Sequence, residues 1–126
     1  MPSDVEMKAL LKRYVSLINE RDITALMLLF DVDAVVEDPV GGATMRGLRD
    51  IEMFYQTAMD IGVRLEIEGE PRGSFAAAAA MSFRVFVSDG AVLNVIDVFH
   101  FNEAGKIATM KAHYGPSDVT PAPVAT

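Results

Sequence analysis

One carboxylic acid falls where the sequence pattern places apolar side chains. In the apolar segment 91–101, alternate residues share a face, and Asp97 lies on the same face as Val95 and Phe99. Burial raises the pKa of a carboxyl group, and a neutral carboxylic acid donates a hydrogen bond. Asp97 is therefore a candidate donor inside an apolar pocket. A buried arginine or backbone amide as its partner, or a bulge that changes the register, are the structural alternatives.

Two further polar side chains fit the same chemistry. Tyr14 lies on the predicted buried face of a helix, where a phenol needs a partner for its hydroxyl. Asp38 ends a predicted strand, just before Pro39. A carboxylate opposite two neutral donors is suited to removing a proton next to a ketone while the donors stabilise the oxyanion. Each residue alone also has a structural explanation: a core tyrosine bound to a backbone carbonyl, and an aspartate in a turn.

Helices are predicted first along the chain and strands afterwards. Ser3 and Glu6 form a capping box, Asp22 caps a second helix, and Gly62 ends a third. The predicted helices cover residues 4–19, 23–30 and 48–61. The predicted strands cover residues 34–38, 63–68, 74–87, 91–101 and 106–114. This order predicts an α+β fold in which a curved antiparallel or mixed sheet wraps around the N-terminal helices as a cone with one open end.

Composition narrows the classes of function. The length of 126 residues suits one domain, predicted over residues 1–118, followed by a disordered tail over residues 119–126. The net charge of −7 disfavours nucleic acids and anionic membranes as partners. The chain has no cysteine and only two histidines, which excludes disulfides, thiolate metal sites and a histidine-rich metal site. Because hydrophobic residues make up 51%, we expect an oligomer interface or an internal apolar cavity.

The sequence also carries no membrane or export signal that we recognise. No apolar run reaches the roughly 18 residues that a membrane span needs. The first residues lack a basic region followed by an apolar run, which is typical of a secretory signal. We therefore expect a cytoplasmic protein without a membrane partner.

The candidate residues lie in motifs that resemble those of the bacterial Δ5-3-ketosteroid isomerases. The motifs are Arg13-Tyr14-Val15, Val36-Glu37-Asp38-Pro39-Val40-Gly41, Phe54-Tyr55, Phe83-Arg84-Val85 and Val95-Ile96-Asp97-Val98-Phe99. The similarity in order and spacing runs from about Glu6 to Tyr114. It implies the cone-shaped α+β fold of nuclear transport factor 2, also called cystatin-like. It further implies a small apolar steroid as substrate, no cofactor and a homodimer.

The resemblance implies a role for each matching residue. Asp38 matches the general base that carries a proton from C4 to C6 of the steroid. Tyr14 and Asp97 match the two donors to the C3 oxygen, and this family is an established case of a carboxylic acid kept neutral. Tyr55 matches the tyrosine that supports Tyr14 through a hydrogen bond. The positions that line the cavity are matched by Phe54, Phe83, Phe99, Met110 and Tyr114.

Two positions depart from the family pattern. Phe30 stands where some members carry a third tyrosine, and Tyr114 stands where members often carry Phe or Trp.

The predicted function is a steroid isomerase that moves a β,γ double bond into conjugation with the C3 ketone. The alternatives are a cyclase- or dehydratase-type enzyme of the same fold and a non-catalytic module that binds an apolar ligand.

Overall fold

The computed structural model describes residues 1–124, which fold into three α-helices and one curled, unclosed sheet. The helices are α1 (Asp4–Asn19), α2 (Ile23–Met27) and α3 (Gly47–Asp60). The strands are β1 (Phe30–Asp38), β2 (Ala43–Arg46), β3 (Arg64–Ile67), β4 (Ala78–Phe86), β5 (Val92–Phe101), β6 (Ile107–His113) and β7 (Val119–Thr120). A short 3-10 helix, Pro116–Asp118, connects β6 to β7.

The sheet is mixed, with the strand order β2-β1-β6-β5-β4-β3. β1 and β6 run parallel, and the other neighbouring strands run antiparallel. β7 pairs with the beginning of β5, where Leu93 lies opposite Val119. The predicted α+β class with a curved sheet is confirmed, and of the two sheet types that the sequence left open, antiparallel and mixed, the sheet is mixed.

The helix ends follow the capping residues that the sequence predicts. The Ser3 hydroxyl accepts a hydrogen bond from the Glu6 amide, and the Glu6 carboxylate accepts one from the Ser3 amide. Asp22 accepts from the amide of Ala25 at the start of α2. Gly62 follows α3 with φ +77°, a conformation that favours glycine. These local signals are strong because each one satisfies a helix-end amide or carbonyl that has no partner within the helix.

The hydrophobic core lies between the helices and the concave face of the sheet. Along β5, Val95, Asp97 and Phe99 are buried, whereas Ile96 and His100 between and beyond them are exposed. This period of two is that of a strand with one face on the core. The register predicted for Asp97 is therefore confirmed, and no bulge turns this residue outward.

β1 begins earlier than predicted, and α2 correspondingly ends at Met27 rather than at residue 30. Phe30 is buried and pairs with Ile107 of β6, whose amide donates to the carbonyl of Leu29. A register shift between Phe30 and Val35 accommodates the polar residues that lie between them. The partner strand is far along the chain, so the local sequence gives no sign of this pairing.

Strands β2 and β4 also differ from the prediction. β2 was not predicted, because this short edge strand is largely exposed and has no apolar alternation. β4 begins at Ala78 rather than at residue 74. The Ser74 hydroxyl accepts from the Ala76 amide and donates to the Ala78 carbonyl, so this segment forms a local turn instead of a ladder.

The predicted disordered tail is partly ordered. Val119 and Thr120 form β7 on β5, contrary to the prediction for residues 119–126. Pro123 then packs against Gly90, where an added Cβ would lie only 2.9 Å from the proline Cδ. Residues 125 and 126 lie outside the described residues.

Asn19 provides a test of how α1 holds the edge strand β3. Its side-chain amide donates to the Leu65 carbonyl at 2.9 Å, and its side-chain oxygen accepts from the Leu65 amide at 2.8 Å. Asn19→Ala leaves both backbone groups without this partner, and we expect the free energy of unfolding to fall by about 2 kcal/mol. Urea denaturation measures this loss. Asn94→Ala, at an exposed position on β5, is the control and should cost less than about 0.5 kcal/mol; equal losses would contradict the linking role of Asn19.

Candidate active site

A cavity of about 260 Å³ lies between the concave face of the sheet and the helices α1 and α3. Its polar side chains are Tyr14, Asp38, Tyr55, Asp97 and Tyr114. Its apolar wall is formed by Ile18, Phe54, Ala58, Ile61, Val63, Leu65, Phe83, Val85, Val87, Leu93 and Val95. The cavity therefore brings together the three residues that the sequence singles out for chemistry.

The cavity has a buried floor and an open mouth. The inward side chains of β5 become steadily more buried, from half-buried Leu93 to Val95 at 5% and Asp97 at 1% exposure. Since a strand rises about 3.3 Å per residue, Leu93 lies about 13 Å from Asp97 along the cavity. On α3 and the residue that follows it, Tyr55 is 3% exposed and Ile61 is 50% exposed. Asp97 and the tyrosines form the floor, and Leu93 and Ile61 lie at the mouth.

The Asp97 carboxyl group is buried without a partner. Among the described residues, neither of its oxygens makes a hydrogen bond. Burial raises the pKa of Asp97 well above its usual range, and the charge of nearby Asp38 raises it further. The alternative of a structural pair with arginine or a backbone amide is therefore wrong. Burial thus favours the protonated form of Asp97, and in that form the carboxyl group offers its proton as a donor at the cavity floor.

Tyr14 and Tyr55 form a hydrogen-bonded pair at the floor. Their hydroxyl oxygens lie 2.7 Å apart, and both residues are 3% exposed. Burial raises the pKa of both hydroxyls, so both keep their protons at neutral pH. When Tyr55 donates to Tyr14, the proton of Tyr14 is available to a third group in the cavity. The Phe30 ring packs against Tyr55, with ring centroids 5.7 Å apart. Because Phe30 has no hydroxyl, the hydrogen-bonded chain does not continue to this residue.

Two of the residues assigned to the cavity wall lie beneath it. Phe99 and Met110 are fully buried and are not part of the lining, so this part of the sequence-based assignment is wrong. Phe99 is two residues beyond Asp97 on β5, and Met110 lies opposite Phe99 on β6, so both are one step below the floor. The Phe99 ring contacts the Tyr14 ring edge to face, with centroids 5.1 Å apart, and so positions the tyrosine from below.

Asp38 lies at the end of β1, with its carboxylate in the cavity wall. The turn that follows is held by Glu37, which accepts from the Gly41 amide, and not by Asp38. Burial raises the pKa of Asp38 to about 6. At pH 7 about nine-tenths of such a group is ionised, and it is a stronger base than an ordinary carboxylate. The alternative of a simple turn residue does not account for this position.

Tyr114 places a third hydroxyl in the wall, beyond the end of β6. Burial raises the pKa of Tyr114, and the charge of Asp38 contributes to this shift. The hydroxyl therefore lies within electrostatic range of the Asp38 carboxylate. This is the departure from the family pattern that the sequence indicated.

Most residues of the apolar wall are not among those predicted from the sequence, although they show the alternation of a buried strand face. Leu93 and Val95 alternate with outward residues on β5, and Val85 and Val87 do so on and after β4. Period-two patterning marks a buried face but does not distinguish a cavity wall from solid core. Only the space between the sheet and α3 makes these side chains a binding surface.

The groups in the cavity are suited to proton transfer. One carboxylate of raised basicity shares the cavity with two groups that can donate hydrogen bonds, a combination suited to enolising a ketone. Within residues 1–124, no group of three or more His, Cys, Asp or Glu side chains is arranged to hold a metal ion. Among the same residues, no helix is long and apolar enough to cross a membrane.

Comparison with known proteins identifies the family of this chain. The SnoaL-like domain family matches residues 11–110. A protein named steroid Δ-isomerase from Nocardioides simplex is 37% identical over 122 residues, which is 93% of this chain and 98% of that protein. The structure of an epoxide hydrolase/cyclase-like enzyme of pyran ring formation in the polyether salinomycin superimposes with a TM-score of 0.82 at 24% identity. That match covers 89% of this chain and 92% of the other, and it shows the shared fold. The chain belongs to the SnoaL-like, nuclear transport factor 2-like family that includes the Nocardioides steroid Δ-isomerase, as the sequence resemblance predicts.

Proposed function

We propose that the protein is a steroid Δ5-isomerase that converts 3-oxo-Δ5-steroids into conjugated 3-oxo-Δ4-steroids. The observation that carries this proposal is the unpartnered Asp97 carboxyl at the floor of an apolar cavity that Tyr14 and Asp38 also line. A buried donor without a partner is costly unless a ligand uses it. The likeness to the Nocardioides enzyme supports a steroid as that ligand.

The first step is removal of a proton from C4. The apolar nucleus enters the cavity with its C3 oxygen at the floor, between the hydroxyl of Tyr14 and the neutral carboxyl of Asp97. The Asp38 carboxylate takes the C4 proton, and the electron pair of the C–H bond moves toward C3 to give a dienolate. Charge develops on the C3 oxygen, where the two donors stabilise it without reorganisation.

The second step returns the same proton to C6. The Asp38 carboxylic acid protonates the dienolate at C6, the negative charge leaves the C3 oxygen, and the double bond comes to lie between C4 and C5. A pKa near 6 suits both steps, because it lies close to the operating pH. Tyr55 acts through Tyr14 as a positioning residue: by donating to Tyr14 it directs that proton to the steroid.

The alternatives predicted from the sequence have less support. A cyclase- or dehydratase-type enzyme of this fold would be expected to use a histidine with an aspartate, yet His100 and His113 are both exposed and neither lines the cavity. A non-catalytic binding module does not explain the raised pKa of Asp38 beside two neutral donors. The shared fold of the cyclase-like structure favours neither alternative, since fold alone does not set function.

The direct test is isomerisation of 5-androstene-3,17-dione, followed by the ultraviolet absorbance of the conjugated enone. Asp38→Asn removes the base and keeps the shape, so we expect kcat to fall at least about 100-fold while steroid binding persists. Glu37→Gln, in the adjacent residue that binds the turn, is the control and should retain the rate. With wild type, kcat/KM should rise with pH through about 6, as Asp38 loses its proton, and then stay level through neutrality. Near-wild-type turnover by Asp38→Asn would show that Asp38 is not the base.

The role of Asp97 is tested by two substitutions that differ in one hydrogen-bond donor. Asp97→Asn keeps an N–H, whereas Asp97→Leu leaves the C3 oxygen with one donor fewer. We expect the leucine variant to lose about 100- to 1,000-fold in kcat, equivalent to about 3–4 kcal/mol, and the asparagine variant to lose less. Equal rates for the two variants would show that donation by Asp97 does not matter.

Thermal unfolding of the same variants separates catalysis from structure. The unfolded chain loses the Asp97 proton near pH 4, whereas the folded protein keeps it, so the free energy of unfolding falls as pH rises above 4. The slope from this group is about 1.4 kcal/mol per pH unit until its folded pKa is reached. Asp97→Asn removes this term, so its Tm should exceed that of wild type by a margin that grows from pH 4 to 7. A lower Tm with unchanged kcat would assign Asp97 a structural role.

We also propose that the protein is a homodimer that joins through the convex face of the sheet. Ile96 is 49% exposed in the centre of β5, and half-buried Ala80 and Val98 lie beside it on this face. Ile96→Glu would place a charge in the apolar interface in each copy, so the dimer dissociation constant should rise at least about 100-fold. Analytical ultracentrifugation measures it, with Leu28→Glu, which is exposed elsewhere, as the control. A monomeric wild type would contradict the proposal.

The cytoplasm of a bacterium is the compartment that we propose. A chain without cysteine has no disulfide that would need an oxidising compartment. Fractionation of the source cells, with detection of the native chain, tests this location; recovery outside the cytoplasm would contradict it.

A further inference from the structure

The mouth of the cavity is bordered by apolar side chains that remain partly exposed. Ile61, which is 50% exposed, follows α3, and Val87 follows β4. Leu93 is half-buried at the start of β5, and Val119, which is 37% exposed, belongs to β7. Residues directly opposite each other in an antiparallel pair point to the same face, so Val119 lies on the cavity side beside Leu93. We call these four residues the apolar rim.

The polar floor fixes which end of the substrate meets the apolar rim. With the C3 ketone at Tyr14 and Asp97, a rigid nucleus extends along β5 toward Leu93, about 13 Å away. The cavity volume of about 260 Å³ is smaller than the roughly 300–1,000 Å³ of pockets that enclose a drug-sized ligand. The end of the nucleus opposite the ketone therefore reaches the mouth, and any substituent there passes out across the apolar rim.

The charges around the mouth select the chemistry of that substituent. Asp60, Asp89 and Asp118 each lie within two residues of a member of the apolar rim, and all three are acidic. Among residues 1–124, no basic side chain belongs to the cavity lining. Arg64 and Arg84, the arginines nearest to the rim along the chain, both form ion pairs with Glu66 instead. An anionic substituent would thus find no basic side chain in this lining to pair with, whereas an uncharged aliphatic one would cover apolar surface.

We propose that the apolar rim is a second binding subsite, which takes an uncharged aliphatic side chain carried on C17 of the steroid. This inference rests on the proposed isomerase function and adds the substrate class: 3-oxo-Δ5-steroids that keep an alkyl side chain, in preference to steroids without one or with a carboxylate at its end. Each methylene that the rim removes from water strengthens binding by up to about fourfold. A chain of which two or three carbons are covered gains about tenfold or more.

Calorimetric titration of wild type with three saturated 3-ketosteroids tests this proposal without turnover. The ligands share one nucleus and carry no side chain (3-oxo-5α-androstane), a five-carbon alkyl chain (3-oxo-5α-cholane), or that chain ending in a carboxylate (3-oxo-5α-cholan-24-oate). We expect the alkyl compound to bind at least tenfold more tightly than the chainless one. We also expect the carboxylate to lose most of that gain. Equal affinity for the alkyl and chainless compounds, or for the alkyl compound and the carboxylate, would overturn the proposal.

Variants of the apolar rim locate the subsite. Val119→Ser and Ile61→Ser should each lower the affinity ratio of the alkyl to the chainless ligand by at least about threefold. Val32→Ser, which replaces a 66% exposed valine on β1 outside the cavity, should keep the wild-type ratio. The ratio is independent of the fraction of protein that is folded, and the fitted stoichiometry reports that fraction. An unchanged ratio in both rim variants would overturn the assignment.

The outcome also distinguishes this inference from the proposed function. If 5-androstene-3,17-dione is isomerised but the alkyl chain adds no affinity, the subsite is refuted and the isomerase stands. If no 3-oxo-Δ5-steroid, with or without a side chain, is isomerised, the proposed function is refuted and the substrate class falls with it.

Discussion

The burial of one carboxyl group in an apolar wall sets the requirements for the rest of the site. Removing an ionised Asp97 from water would cost several kcal/mol, so the group responds by keeping its proton. In that form it carries a donor for which the described part of the chain, residues 1–124, provides no acceptor. A ligand oxygen at the cavity floor would supply the acceptor that the Asp97 donor lacks. The same donor would stabilise negative charge that develops on that oxygen.

The same desolvation acts on Asp38 with a different result, because that residue is less enclosed. Its pKa is raised to about 6, so it remains mostly ionised at neutral pH, whereas the deeper burial of Asp97 favours the neutral form of that residue more strongly. Two aspartates in one cavity are therefore suited to opposite roles, one as base and one as donor, chiefly because they are buried to different depths. The fold sets the depth of each aspartate, because β1 ends beside the cavity while the middle of β5 passes beneath it.

Much of the fold was predictable because its signals are local. The capping box at Ser3, the cap at Asp22 and the glycine after α3 each satisfy or end a helix within a few residues. Alternation along β5 was enough to place Asp97 on the buried face. The errors lie where a distant partner decides: Phe30 joins β1 through Ile107, and Val119 is ordered by Leu93. The Ser74 turn was missed for another reason, since a side-chain hydroxyl there competes with the strand ladder.

The sequence by itself determined the residue types and their faces: one acid among apolar neighbours, one tyrosine on a helix stripe and one acid at a strand end. Only the tertiary structure decided that these side chains share a cavity and that Asp97 has no hydrogen-bond partner among the described residues. It also decided that Phe99 and Met110 lie below the floor while Ile61 and Val119 border the mouth. The physical reason is that periodicity reports which face of a strand or helix is apolar. Whether that face meets another side chain or an empty space depends on the distance between elements that are remote in sequence.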